Sequence, residues 1–198
     1  MNKNFNHYFT NSDIEHNVIQ KRVNICGQEF LFNTDNGLFS KSGLDYGTRL
    51  LIESINFDDI EGNVLDVGCG YGPIGIYIAR QIKYDVHMID VNQNAVKLCQ
   101  ENAGLNGVVN VDIYESDVYK NVNKKFSLIV TNPPIRAGKE KIYEILFNAK
   151  KFLLDDGKIL FVMRKNHGVK STMRDLSNAY NVKIIKKDKG FYIVELTN

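Results

Sequence analysis

The sequence predicts an α/β protein: a doubly wound, mostly parallel sheet of seven strands that ends in an antiparallel hairpin and follows a small N-terminal β appendage. Three observations carry this prediction. From Asn63 onward, short apolar runs alternate with segments of helical periodicity. A glycine-rich turn, Gly68-Cys69-Gly70-Tyr71-Gly72, lies between the first such run and the first such helix. The last two apolar runs are separated by Asp188-Lys189-Gly190, a hairpin signal.

In chain order, Lys21 to Ile25 and Glu29 to Asn33 read as two short strands around Cys26-Gly27-Gln28, and Asp35-Asn36-Gly37 as a turn. Asp45 to Ile55 reads as a helix with Leu50, Leu51 and Ile55 on one face. The core strands are Val64 to Val67, Asp85 to Asp90, Val109 to Tyr114, Phe126 to Thr131, Lys158 to Met163, Val182 to Lys186 and Phe191 to Leu196. Between them lie helices over Ile74 to Gln81, Gln93 to Leu105, Glu140 to Leu154 and Val169 to Ala179. Strands alternating with helices imply parallel strands covered on both faces.

The 198 residues suit one domain, with residues 1–40 as the appendage and 41–198 as the core. No apolar run approaches the ~20 residues of a membrane span, and the N-terminus lacks the apolar stretch of a signal peptide. Cys26, Cys69 and Cys99 stand singly, with no histidine at ligand spacing. The expectation is a cytoplasmic protein without a metal. The net charge of +2 hides an asymmetry. Lys and Arg number five against nine acidic residues before Asn63, three against seven to Asp117, and seventeen against seven from Val118 onward. Such a basic portion fits a polyanionic partner, or equally a solvated Lys-rich face.

The glycine-rich turn narrows the chemistry. Glycines tighten the turn and let a ligand approach the backbone where a Cβ would collide. Gly70-Tyr71-Gly72-Pro73-Ile74-Gly75 matches the dinucleotide spacing GxGxxG. Asp66, however, precedes the loop at the end of the first strand, and DxGxGxG is similar to the loop of class I methyltransferases. That resemblance implies S-adenosylmethionine as cofactor, with Asp66 near the amino end of its methionine part. Asp66 reads otherwise as a turn former or cap for the following helix. Asp90 ends the second strand, 24 residues on, where a carboxylate can accept both hydroxyls of a ribose, or can cap the next helix. Asp117 follows the third strand, and the resemblance implies contact with the adenine amine there; otherwise Ser116-Asp117-Val118 is a polar loop.

Asn132-Pro133-Pro134-Ile135 follows the fourth strand. An aromatic exocyclic amine is a poor nucleophile because its lone pair is delocalised into the ring. Two acceptors that bind its hydrogens and aim the lone pair at the methyl group help it, and no strong base is needed before attack. The Asn132 side-chain oxygen and the Pro133 carbonyl are suited to this, and two prolines stiffen the loop that holds them. The motif resembles the NPP[YFWI] loop of amino-group methyltransferases; the other reading is an Asn-Pro turn closing a strand.

Ile135-Arg136-Ala137-Gly138-Lys139 continues that loop, and Phe39-Ser40 with Asp45-Tyr46-Gly47-Thr48-Arg49-Leu50-Leu51 lies upstream. Together these segments resemble the guanine-(N2) methyltransferases of small-subunit ribosomal RNA, the RsmC-like family, in its short single-domain form, over Gly37 to Val194. The resemblance implies a Rossmann-like methyltransferase sheet, with Asp66, Gly68, Cys69, Gly70, Gly72, Asp90, Val91 and Asp117 lining the cofactor. It places Asp45, Gly47 and Thr48 over the methionine end and Asn132 on the guanine amine. Phe39 would stack on or border the target base, its other reading being an ordinary core Phe, and Ile135 would also meet the substrate. Arg136, Lys139, Arg164 and Lys165 would contact RNA, although each also suits a solvated surface. The alternatives are another amine, of adenine or of a protein glutamine, and a non-catalytic cofactor- or RNA-binding protein.

Overall fold

All four residues of β3 (Val64–Val67) and all six of β6 (Phe126–Thr131) are buried, as strands covered on both faces require. The computed structural model describes residues 18–35 and 44–198. Within them, β3, β4 (Val86–Asp90), β5 (Val111–Glu115), β6, β7 (Leu153–Arg164), β8 (Asn181–Asp188) and β9 (Phe191–Thr197) form one sheet in the order β5-β4-β3-β6-β7-β9-β8. Only β9 runs antiparallel to its neighbours. The helices are α1 (Tyr46–Ile52), α2 (Pro73–Gln81), α3 (Gln93–Leu105), α4 (Lys139–Asn148) and α5 (Val169–Leu176). Leu50, Ile76 and Met88 belong to the core on one face of the sheet, and Ile129, Leu146 and Phe161 to the core on the other. None of the described helices is long and apolar enough to cross a membrane.

The appendage is a hairpin of β1 (Val18–Ile25) and β2 (Gln28–Asp35). Positive φ at both Cys26 and Gly27 makes its turn one whose twist matches the strands. Two asparagines one turn apart on α3 hold it. Asn102 accepts from the Asn33 N–H at 2.7 Å and donates to the Asn33 carbonyl at 3.0 Å; Asn106 does the same for Leu31, at 3.0 and 2.7 Å. Four helical residues rise ~6 Å and two strand residues ~6.6 Å, so the two amides continue the ladder of β2. Phe30 and Phe32 then enter the core.

Several predicted boundaries need correction, among them the helix expected to reach Ala179, which ends at Leu176. The helix expected over Asp45 to Ile55 ends at Ile52, where the Glu53 N–H caps the Arg49 and Leu51 carbonyls. The helix expected to reach Leu154 ends at Asn148 and passes through a 3-10 turn. Leu153 then opens β7 opposite Phe126, five residues before the predicted strand start. A register shift and Gly157, whose Cβ would stand 2.8 Å from the Phe126 carbonyl, absorb the irregularity. The turn expected at Asp35 to Gly37 lies largely outside the described residues.

Candidate active site

A cavity of about 570 Å³ opens beyond the carboxyl ends of the central strands, flanking the point between β3 and β6 where the strand order reverses. Each wall comes from one loop. Gly68, Cys69 and Gly70 follow β3, Asp90, Val91 and Asn92 end or follow β4, and Ser116, Asp117 and Val118 follow β5. Asn132, Pro134, Ile135 and Arg136 follow β6, while Asp45 and Thr48 come from the start of α1.

Asp90 is held by backbone donors. Its Oδ2 accepts from the Gly70 N–H at 3.0 Å and its Oδ1 from the Asn92 N–H at 2.9 Å. Burial pushes its pKa up, and backbone N–H groups of Asn92, Gly70 and Val91 oppose that push. The carboxylate keeps acceptor capacity for a ligand hydroxyl. Asn92 caps α3, so the capping role weighed for Asp90 belongs to its neighbour.

Asp66 is not brought into the cavity. Alternation along β3 turns it, with Val64, toward the α1–α2 face of the sheet, where it is fully buried. There its Oδ2 accepts from the Gly75 N–H in the first turn of α2 at 2.9 Å, and its Oδ1 has no hydrogen-bond partner among the described residues. Burial raises its pKa to about 7, the Gly75 N–H lowers it, and the Asp90 charge adds to the rise. In this position Asp66 fits the second reading, a carboxyl that ties the glycine loop to its helix.

At the opposite end, Ser116 Oγ donates to the Val118 carbonyl at 2.8 Å and accepts from the Asn121 N–H at 3.1 Å. These bonds hold Val118 at φ +51°, a strained conformation for a β-branched residue. Val118 and Ile145 line the cavity beside Asp117. Lys141, which sequence reasoning missed, reaches Asp117 Oδ1 at 3.0 Å and Glu144 at 2.8 Å.

Asn132 is oriented by a chain of hydrogen bonds. Thr48 Oγ donates to Asp45 Oδ2 at 2.5 Å, and the Thr48 N–H donates to Asp45 Oδ1 at 3.1 Å. With its only hydrogen on Asp45, the Thr48 hydroxyl acts as acceptor for Asn132 Nδ2, at 2.9 Å. The amide nitrogen is thereby committed, and the carbonyl oxygen Oδ1 is left without a protein partner among the described residues.

Other predicted residues fall elsewhere. Gly47 lies outside the lining, and a Cβ there would stand 2.8 Å from the Phe191 ring. Gly72, also outside, takes φ +94° ahead of Pro73, and a Cβ there would meet Cys99 Sγ at 2.6 Å. Pro133 is buried behind the loop, outside the lining. Lys139, expected near the substrate, instead pairs with Asp175 at 3.5 Å and lies over the Tyr143 ring. Arg164 and Lys165 are exposed at the end of β7, outside the cavity. Phe39 lies outside the described residues.

The donor set decides between the two cofactor classes. Among the described residues, the cations of the lining are Arg136 and Lys141, and Lys141 already serves Asp117 and Glu144. Against them stand Asp45, Asp90 and Asp117. This lining suits ribose hydroxyls and a cationic methionine end and provides poorly for a pyrophosphate.

The profile of the methyltransferase small-domain family matches residues 29–195. The chain belongs to that family. The family's cofactor is S-adenosylmethionine, which the lining fits. A Bacillus subtilis protein, YbxB, described as uncharacterized, is 41% identical over 194 residues, 96% of each chain. Ribosomal RNA small subunit methyltransferase C of Colwellia psychrerythraea is 30% identical over 177 residues, 87% of this chain and 48% of that protein. Its Pasteurella multocida counterpart is 36% identical over 131 residues, 64% of this chain and 39% of that protein. The chain thus spans less than half the length of these two named relatives. A solved structure titled as the T. thermophilus 16S rRNA N2 G1207 methyltransferase with AdoMet and guanosine shares the fold. Its TM-score is 0.82 at 21% identity, over 91% of this chain and 50% of that one.

Proposed function

We propose that this family member methylates the exocyclic amine of a guanine in small-subunit ribosomal RNA, in the cytoplasm. The orientation of Asn132 carries the reading. Its Oδ1 is turned away from Thr48 and positioned to accept from a substrate N–H, as an amine acceptor loop needs. The relatives named ribosomal RNA small subunit methyltransferase C support RNA as substrate.

When bound, S-adenosylmethionine supplies an electrophilic methyl group on a sulfonium. Asp90 holds its ribose, and Asp117, steadied by Lys141, faces the adenine. Asn132 Oδ1 takes one hydrogen of the guanine amine and helps aim its lone pair. With the lone pair so aimed, no base among the lining residues would be needed before attack, and the surplus proton of the amine would go to water. Ile135 and Pro134 give the base an apolar border. The base reaches this cavity only when it is out of its stack.

The test offers radiolabelled cofactor with small ribosomal subunits, naked small-subunit rRNA, tRNA and a release factor. Label in N2-methylguanine of small-subunit rRNA is expected. Label in adenine or in protein alone would sink the reading.

A further inference from the structure

The seventeen basic residues after Asp117 are not equivalent once folded. Several are tied to carboxylates: Lys158 to Asp59 and Glu195, Lys139 to Asp175, Lys141 to Asp117 and Glu144, Lys186 to Glu53. At the tip of the β8–β9 hairpin a different arrangement occurs. Arg164 lies 4.4 Å over the ring of Phe191, its direct partner across the β7–β9 pair. Lys189, in the hairpin turn, lies 4.6 Å over the ring of Tyr46. The two rings pack against each other at 5.6 Å. Both cations are solvent-exposed, and neither forms a salt bridge among the described residues. Asp188, beside Lys189, is engaged by the Tyr46 hydroxyl.

The place of this cluster matters as much as its charge. Thr131 at the end of β6 pairs with Phe161 of β7, so Arg164 stands three residues further out, ~10 Å beyond the carboxyl edge of the central strands. That is the edge on which the cavity opens. Tyr46 directly follows Asp45 of the cavity lining, and Gly47 gives the Phe191 ring room to close against α1. The hairpin tip is therefore docked on the helix that carries Asp45 and Thr48. Long cationic side chains ordinarily lose rotamer freedom when they bind phosphate. Resting on aromatic faces, these two are ordered beforehand.

We propose that Arg164 and Lys189, set on the Phe191–Tyr46 ring pair, bind the phosphates of the RNA strand flanking the nucleotide whose base enters the cavity. The proposal rests on the RNA reading of the site and adds where the strand lies. A positively charged surface beside a base-sized opening is the means by which proteins track the backbone of a single strand.

The experiment compares two charge-reversed proteins with wild type. One carries Arg164→Glu with Lys189→Glu. The other carries Lys83→Glu with Lys125→Glu, which makes the same change of net charge at the amino ends of β4 and β6, away from the cavity. Binding to a small-subunit rRNA fragment is measured by filter retention over a salt series, and S-adenosylhomocysteine binding by calorimetry. The first variant is expected to keep its S-adenosylhomocysteine affinity and to bind RNA at least tenfold more weakly. Its slope of log affinity against log salt should fall by about 1.4, the value for two single-strand phosphates. The control should retain the wild-type slope. Equal losses in both variants, or none in the first, overturn the assignment while leaving the RNA reading standing. A wild-type protein with no affinity for RNA overturns both.

Discussion

Asn132 and Thr48, 84 residues apart in the chain, are joined by a hydrogen bond of 2.9 Å from Nδ2 to Oγ. Because Asp45 consumes the threonine's only hydrogen, this bond settles which end of the Asn132 amide is left free in the cavity lining. Thr48→Val removes the acceptor and frees the amide to turn. The expected result is a kcat loss of about 10- to 100-fold, with S-adenosylhomocysteine affinity changed less than about tenfold. Thr48→Ser restores the acceptor and should restore most of kcat. Asn132→Ala should abolish most turnover and leave cofactor binding in place. A Thr48→Val enzyme with wild-type kcat would show that Thr48 has no part in orienting the amide.

Asp90 is expected to carry the cofactor's ribose. Asp90→Ala removes a partly buried acceptor for hydroxyls and the anchor for the Gly70 N–H. S-adenosylhomocysteine should bind about 10- to 100-fold more weakly by calorimetry, the range for hydrogen bonds to a charged group. Asp117→Ala should cost less, since Asp117 is exposed and shared with Lys141. The reverse ranking would move the dominant contact to the β5 loop.

Asp66 predicts a pH dependence of stability. Its folded pKa of about 7 stands above the usual 3.8. Between these values the folded protein keeps a proton that the unfolded chain has released, so stability falls as pH rises from about 4 to about 7 and then levels. The full effect is on the order of 4 kcal/mol. Asp66→Asn removes this titration, and the decline in Tm of the cofactor-free protein between pH 4.5 and 7.5 should become shallower. An unchanged profile would mean that the carboxyl does not titrate in this window.

Gly75 owes its identity to packing. A Cβ there would stand 2.2 Å from Met88 Sδ and 2.4 Å from its Cγ, in a fully buried site. Gly75→Ala should destabilise the protein by about 1–3 kcal/mol in urea denaturation. A shorter side chain at Met88 should recover part of that loss, as a coupling energy between neighbours. Strict additivity of the two substitutions would place the strain elsewhere.

The basic C-terminal portion shows how folding divides what composition lumps together. As sequence it fits an RNA surface or a solvated face equally. In the fold, Lys158 is bound to two carboxylates, whereas Arg164 and Lys189 stand on aromatic rings at the cavity's edge. Long-range pairing makes that distinction, and no local signal reveals it.

The sequence by itself determined the alternation of strands and helices, the closing hairpin, the glycine loop and the position of Asn132 after β6. These follow from local periodicity and turn chemistry, which act over a few residues. It also placed Asp90 at a strand end, where the fold opens its cavity. Only the tertiary structure decided that Asp66 faces α2 and not the cavity, because the alternation along β3 and the helix packed above it set that direction. Only the tertiary structure revealed Lys141 at Asp117, Asn102 and Asn106 at β2, and Thr48 at Asn132. Each of these contacts joins segments 24 to 84 residues apart, and only the packing of the folded chain brings them within hydrogen-bond reach.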